Sequence, residues 1–250
     1  MINYLYDGSF PGLLSVFYHL LREKKKNSED KPFQIFCTGE YQQNLFSNTV
    51  FIKSDDQKSE QVYKYIKENL SSRSLKRIYY AFLSGLKGIE AEIYQYLLIG
   101  LRKGKGTDSY YNNDTVFRIY QASRKVSRER HRLIGLLRFK KIKGNLYYAA
   151  LEPDYNILVL IAPHFAVRMS DQSWLIHDLT REIAAVYQNG EWLLTELKGD
   201  ISPENSEEEE AYQELWKTFF KSIALDSRKN LKLQKQFMPA RYWKHLIEKN

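Results

Sequence analysis

From Ser54 to about Ile134 the apolar residues recur at helical spacing, and strand-like runs are confined to either side. Val62, Tyr65, Ile66 and Leu70 mark one helix, and Ile78, Phe82 and Leu83 a second. Ile89, Ile93, Tyr96, Leu97 and Leu101 mark a third. Glycines at 85, 88, 104 and 106 punctuate them, and Gly104 to Asn113 reads as a loop. Asn113 or Asp114 then caps a long helix to about Ile134. Helices gathered in one stretch, with strands outside it, predict an α+β fold. The expectation is a mixed or antiparallel sheet with several packed helices and a helical C-terminal segment.

The flanks carry the strands. Ile2 to Tyr6 reads as a strand, and Ser9 caps a helix running through Pro11 to about Lys25. Phe33 to Cys37 and Asn44 to Ile52 read as further strands, an opening that fits an α/β or an α+β layer. Leu137 to Ile142 and Leu146 to Leu151 form an expected hairpin through Lys143-Gly144-Asn145. Ile157 to Met169 reads as a short helix. Trp174 to Asp178 follows, and Ile183 to Tyr187 pairs with Trp192 to Leu197 through Asn189-Gly190, a type I′ signal. Residues 1–198 are therefore expected as a core domain, with 54–112 as a helical insert, and 199–250 as a helical segment packed on it. Glu204 to Glu214 contains six Glu and no base, and these acids load the start of a helix from about Ser206 to Leu225. Tyr212, Leu215, Trp216, Phe219 and Ile223 form its expected apolar face.

The chain of 250 residues is 43% hydrophobic, enough for a packed core in one large domain or two small ones. Its net charge of +8 favours polyanionic partners. Cys37 is the sole cysteine, which excludes an internal disulfide and a cysteine-ligated iron–sulfur cluster held by this chain alone. A reducing cytoplasm fits. The N-terminus lacks the pattern of a secretory leader, and no run is apolar enough to span a membrane.

Positive charge is concentrated in two places. Residues 118–143 hold ten Arg or Lys against Glu129 alone. On a wheel, Arg118, Arg124, Lys125, Arg128 and Arg132 lie opposite Val116, Ile119, Tyr120, Ser123, Val126, Leu133 and Ile134. Arg130 falls within the apolar face and needs a buried acid, a helix C-terminus or a ligand. Residues 227–250 hold seven Arg or Lys against Glu248, interleaved with Phe237, Met238, Tyr242 and Trp243. Cations beside stacking rings suit single-stranded nucleic acid. The candidate nucleic-acid-binding residues are Arg118, Lys125, Arg128, Arg132, Arg168, Arg228, Lys229, Lys232, Arg241, Tyr242 and Trp243, with Lys235 beside them. The tail's apolar residues serve equally to pin a C-terminal helix, with Pro239 near its start.

Acid–base chemistry has three candidates: Asp7, His131 and His164. His131 lies in the ExHR cluster Glu129, His131, Arg132, and His164 shares a helix face with Arg168. His177 points away from Asp178. No metal-ligand spacing, phosphate loop or nucleophile elbow is present, and no metal is expected.

Five stretches carry a family resemblance: YDGSF at Tyr6–Phe10, ERHRLIGLLRF at Glu129–Phe139, LYYAALEPDYNILVLIAPHFAVRM at Leu146–Met169, WLIHDLTRE at Trp174–Glu182 and the tail Ile223–Glu248. On these the chain resembles an uncharacterised bacterial family of DNA metabolism proteins. Members are typically encoded beside a radical S-adenosylmethionine protein, and some are fused to a uracil-DNA glycosylase-like domain. The resemblance implies a DNA-related role, in repair or modification, and such a partner. It implies no cofactor on this chain, with S-adenosylmethionine and the iron–sulfur cluster belonging to the partner. Three readings follow: a DNA-binding protein working with that partner, a base- or nucleotide-processing enzyme, and a non-catalytic interaction subunit.

Overall fold

The computed structural model describes residues 1–26, 32–42, 48–142, 145–199, 207–223 and 231–249. Two sheets of different construction organise them, in two compact units, Met1–Val126 and Ser127–Asn250. The architecture is α+β, as the segregated periodicity predicts.

The first unit is built on three parallel strands. β1 (Ile2–Tyr6) lies between β2 (Phe33–Cys37) and β3 (Asn48–Phe51). Residues 43–47 of the expected third strand lie outside the described residues. A helix, α1 (Phe10–Lys26), joins β1 to β2. α2 (Asp56–Asn69), α3 (Ser72–Leu83) and α4 (Ile89–Lys103) follow as expected. Leu13, Val16, Phe17, Ile66, Ile78, Ile93 and Leu97 fill the core between them. The stretch after Gly104 is no open loop but a 3-10 helix, Gly104–Ser109. Its buried Asp108 accepts the Ser71 and Ser74 hydroxyls and pairs with Arg77 Nη1 at 3.2 Å, which fixes the backbone there. A carboxylate that far inside requires such partners.

The β1–α1 turn explains YDGSF. Asp7 Oδ1 accepts the Ser9 N–H at 2.9 Å and hydroxyl at 2.7 Å, and Ser9 Oγ accepts the Gly12 N–H at 3.0 Å. A Cβ at position 12 would lie 2.1 Å from Asp7 Oδ1, so only glycine admits the bracket. Gly8 holds φ at +81°, against the Cys37 side chain.

α5 (Asp114–Leu136) is the long helix foreseen from the sequence, and the division between the units falls within it. The sequence instead placed its domain break at 198. In the second unit, β4 (Lys140–Ile142), β5 (Leu146–Leu151), β6 (Ser173–Asp178), β7 (Ile183–Gln188) and β8 (Glu191–Glu196) form one sheet in chain order. All pairs are antiparallel except β5–β6, which run parallel around α6 (Leu158–Arg168). Asn189 and Gly190 both hold positive φ, 53° and 89°, as a type I′ hairpin requires. β4 starts three residues later than expected, and the Arg138 side chain donates to the Gly135 carbonyl in the last turn of α5. Residues 143–144 of its turn lie outside the described residues.

α6 packs on the face of Trp174, Ile176, Ala185 and Tyr187. α7 (Glu207–Ile223), α8 (Leu231–Phe237) and two 3-10 turns, Ala240–His245 and Ile247–Lys249, complete the chain. Pro239 thus caps a 3-10 helix, so the C-terminal segment is helical as expected, in the tighter form. Tyr212 and Leu215 are exposed, so the expected apolar face of α7 is only partly covered. Glu209, in contrast, reaches the Lys141 N–H at 2.8 Å. Among the described residues no helix is long and apolar enough to cross a membrane.

Candidate nucleic-acid interface and the clamp beside it

Glu129 is the pivot of the second unit. It lies on the buried seam of α5 with Val126 and Leu133, its residue only 2% exposed. The seam is rotated from the expected one, so Glu129 takes the deep position foreseen for Arg130. Arg130 is half-buried and its Nε–H donates to the Leu160 carbonyl at 3.1 Å, in the stretch of α6 where Pro163 interrupts the ladder. Neither a buried acid nor a helix C-terminus is its partner there.

A buried carboxylate must be answered from every side. Glu129 accepts the Asp154 and Tyr155 N–H groups, each at 2.9 Å, from the loop that leaves β5. The tail supplies the rest. The Tyr242 hydroxyl donates to Glu129 at 2.6 Å and accepts from Arg241 at 2.7 Å. Arg241 also meets Glu129 at 3.2 Å and Asp154 at 2.5 Å. Burial, then the Glu129 contact, pushes the Tyr242 phenol well above its usual range, so it remains a donor.

The clamp continues along the tail. Lys244 pairs with Glu152. Glu248 receives Arg138 at 2.8 Å and the Trp216 indole N–H at 3.2 Å. Burial alone would raise the Glu248 carboxyl, but the Arg138 hydrogen bond and charge outweigh it and hold it below the usual range. On the other side of the β5–α6 loop, Arg181 bonds Asp178 and the Pro153 and Asp154 carbonyls. Burial raises the Asp178 carboxyl against the opposing pull of Arg181. Four cations thus face five acids, and the carboxyl ends of the parallel pair β5–β6 are crowded with side chains that satisfy each other.

The stretches Glu129–Phe139, Leu146–Met169, Trp174–Glu182 and the tail therefore each send residues to one place. Two of the predicted nucleic-acid residues, Arg241 and Tyr242, are members of this clamp. Asp154 and Glu152 are the residues that sequence reasoning missed. An acid pair in EPDY, between two cation-rich segments, was the available signal.

The other predicted cations lie elsewhere. Arg128 and Lys232 are exposed and, among the described residues, meet no acid. Arg132 donates to the Gln236 carbonyl at 3.4 Å, which sets α8 beside α5. Trp243 donates its indole N–H to Met238 O at 2.9 Å, and its ring has Lys249 Nζ at 4.6 Å and Lys235 Nζ at 6.0 Å. Lys125 is exposed, and Arg118 pairs with Glu92 at 3.1 Å in the first unit. Arg168 is exposed at the end of α6. Arg228 and Lys229 lie outside the described residues.

The acid–base candidates are scattered. Asp7 belongs to the first unit, in the bracket that starts α1. His131 is exposed on α5. His164 is half-buried, and its buried Nε2 has no hydrogen-bond partner among the described residues. His177 is structural: Nε2 faces the Leu197 carbonyl, an acceptor, so it carries the proton, and Nδ1 accepts from Tyr148. It shares no bond with Asp178, as strand alternation foresaw. Among the described residues no cluster of His, Cys, Asp and Glu is placed to hold a metal ion.

No curated protein matches the chain. The clamp, the α5–α8 surface and the whole five-stranded sheet fall inside residues 87–248, while YDGSF falls outside them. Those residues match the model of a domain of unknown function, DUF4130, and the chain belongs to that family.

Proposed function

We propose that this chain is a DNA-binding protein, contacting single-stranded or locally opened DNA through the second half of α5, α8 and Trp243. It works, on this reading, in DNA metabolism or repair beside a radical S-adenosylmethionine protein, as the family resemblance implies. The observation that carries it is a segregation of charge. The clamp balances its cations with acids, whereas Arg128, Arg132, Lys232 and Lys235 meet no acid among the described residues. Such a surface attracts phosphates, and an indole fixed by its N–H offers a stacking face between lysines. S-adenosylmethionine and an iron–sulfur cluster belong to the partner.

The test is fluorescence anisotropy with single- and double-stranded oligonucleotides across a salt series. Each phosphate contact contributes about 0.7 to the salt slope on a single strand. Lys232→Glu with Lys235→Glu is expected to weaken binding and flatten that slope. Unchanged affinity and slope would remove α8 from the interface. Binding that vanishes at physiological salt would reduce the attraction to generic charge.

One observation favours a second reading, processing of a base or nucleotide. The buried His164 Nε2 lacks a partner among the described residues, as a group reserved for a substrate would. His131→Ala and His164→Ala that bind DNA normally but lose turnover on damaged oligonucleotides would establish it. Retained turnover in both would remove it. Tight binding to a protein partner with no affinity for nucleic acid would leave the third reading, a non-catalytic interaction subunit.

A further inference from the structure

A cleft of about 830 Å³ opens in the second unit between the end of α5 and one face of α7. That is the size of small-ligand sites, which are mostly apolar with a few placed polar groups. Phe139, Tyr212 and Trp216 give it three aromatic walls. Phe139 packs against the Phe165 ring at 5.1 Å, and the Trp216 indole N–H is bound to Glu248 at 3.2 Å, so both rings are held. Tyr212 is 66% exposed, and its ring is open to contact. The charges of the cleft are already engaged. Arg138, the one cation among its described lining residues, pairs with Glu248. Glu209 takes the Lys141 N–H and, at 2.9 Å, the Gln213 amide N–H. That bond orients the amide, and among the described residues nothing donates to Gln213 Oε1. Rings beside a primary amide suit a neutral planar group that stacks and hydrogen-bonds, as a nucleobase does. With Arg138 paired, they do not suit a phosphate.

Gly135 connects the cleft to the cationic surface. Arg128, Arg132 and Gly135 stand at i, i+4 and i+7 of α5, on one face of the helix. Gly135 lies about 4.5 Å along the axis from Arg132. Its φ is not left-handed, and a Cβ there would meet no neighbouring group within 4 Å. Neither the backbone nor packing among the described residues calls for glycine here, where it weakens the helix. What it gives is an open mouth, since it lines the cleft with no side chain. We infer that this cleft takes one unstacked base of the strand whose phosphates lie on Arg128, Arg132 and α8. The inference rests on the DNA-binding reading above and adds to it a place for a base. The base stacks on Tyr212 and Trp216, and its edge donates to Gln213 Oε1.

The test compares a labelled oligodeoxycytidine, whose bases carry an amino donor, with a base-free strand of the same length, tetrahydrofuran replacing each nucleoside sugar. Both strands present the same phosphates. By fluorescence anisotropy, the full chain is expected to bind the base-bearing strand about tenfold tighter or more, the effect of one stacked base. Tyr212→Ala, and Gly135→Phe, which fills the mouth, are each expected to remove most of that preference. Their salt slope and their affinity for the base-free strand are expected to stay as in wild type. Tyr212 is exposed and the space at Gly135 is open, so both variants are expected to fold. Tyr212→Phe, which retains the ring, is expected to keep the preference. Lys232→Glu with Lys235→Glu gives the contrast, a flatter slope on both strands with the preference kept. Equal binding of the two strands by wild type overturns the base site and leaves the phosphate surface standing. So does a preference undiminished in both Tyr212→Ala and Gly135→Phe. Binding of neither strand removes the DNA-binding reading itself, and the base site with it.

Discussion

Two stretches of the basic tail lie a few residues apart and behave as different materials. In 240–248 the cations Arg241 and Lys244 reach acids, Tyr242 is buried, and Glu248 takes an arginine from α5's end. In α8, Lys232 and Lys235 meet no acid among the described residues, and Phe237 is exposed. The same density of charge is an internal fastener in one stretch and an offered surface in the other. What separates them is the counter-charge: Glu129, Glu152 and Asp154 come from parts of the chain more than eighty residues away in sequence.

That contrast can be broken at Glu129 first. Glu129→Ala leaves the Tyr242 hydroxyl and two backbone N–H groups without their acceptor and Arg241 with Asp154 as its one acid, and is expected to cost about 3–5 kcal/mol in denaturant unfolding, the range for a broken buried charge cluster. A loss under about 1 kcal/mol would mean that the clamp does not hold the tail. The complementary change, Lys232→Glu with Lys235→Glu, is expected to leave unfolding within about 0.5 kcal/mol, as for surface positions. Its DNA affinity should nevertheless fall by about tenfold or more. If stability falls instead, α8 belongs with the clamp.

Tyr242→Phe sharpens the comparison inside the clamp. It keeps the ring and deletes the donor, and is expected to cost about 1–2 kcal/mol by chemical denaturation, with DNA affinity per folded molecule unchanged. The smallest effect concerns pH. Glu248 is held below the usual carboxylate range in the folded chain, so its contribution is present at neutral pH and is lost as pH falls through the folded value. Glu248→Gln should therefore be less stable than wild type at pH 7 and approach it in acid. A gap between the two that stays constant from neutral to acid would show that the Arg138 pair carries no net stabilisation.

Much of the fold was legible. Helical spacing placed α2 to α5 within a few residues, and Asn189-Gly190 announced its hairpin because only certain residues accept two successive positive φ values. Local rules carry that information. The clamp was less legible, since its members are distant in sequence and an isolated ExHR triplet says nothing of depth. The wheel put Arg130 in the middle of the apolar face of α5, while Asp154, Tyr155 and Tyr242 make the Glu129 carboxylate the core residue there. The tail cations were correctly seen as a cluster, but composition alone could not sort paired from unpaired.

Glu209 has a consequence for how the protein fails. A sheet open at both edges can grow without limit, each added molecule presenting a fresh end. Here the carboxylate on the Lys141 N–H acts as a chain terminator at one end. While that contact holds, strand addition at this end has one donor fewer to pair with. Replacing Glu209 with a residue that cannot accept that N–H is expected to open the β4 edge to strand addition, a change that light scattering on gentle warming would reveal.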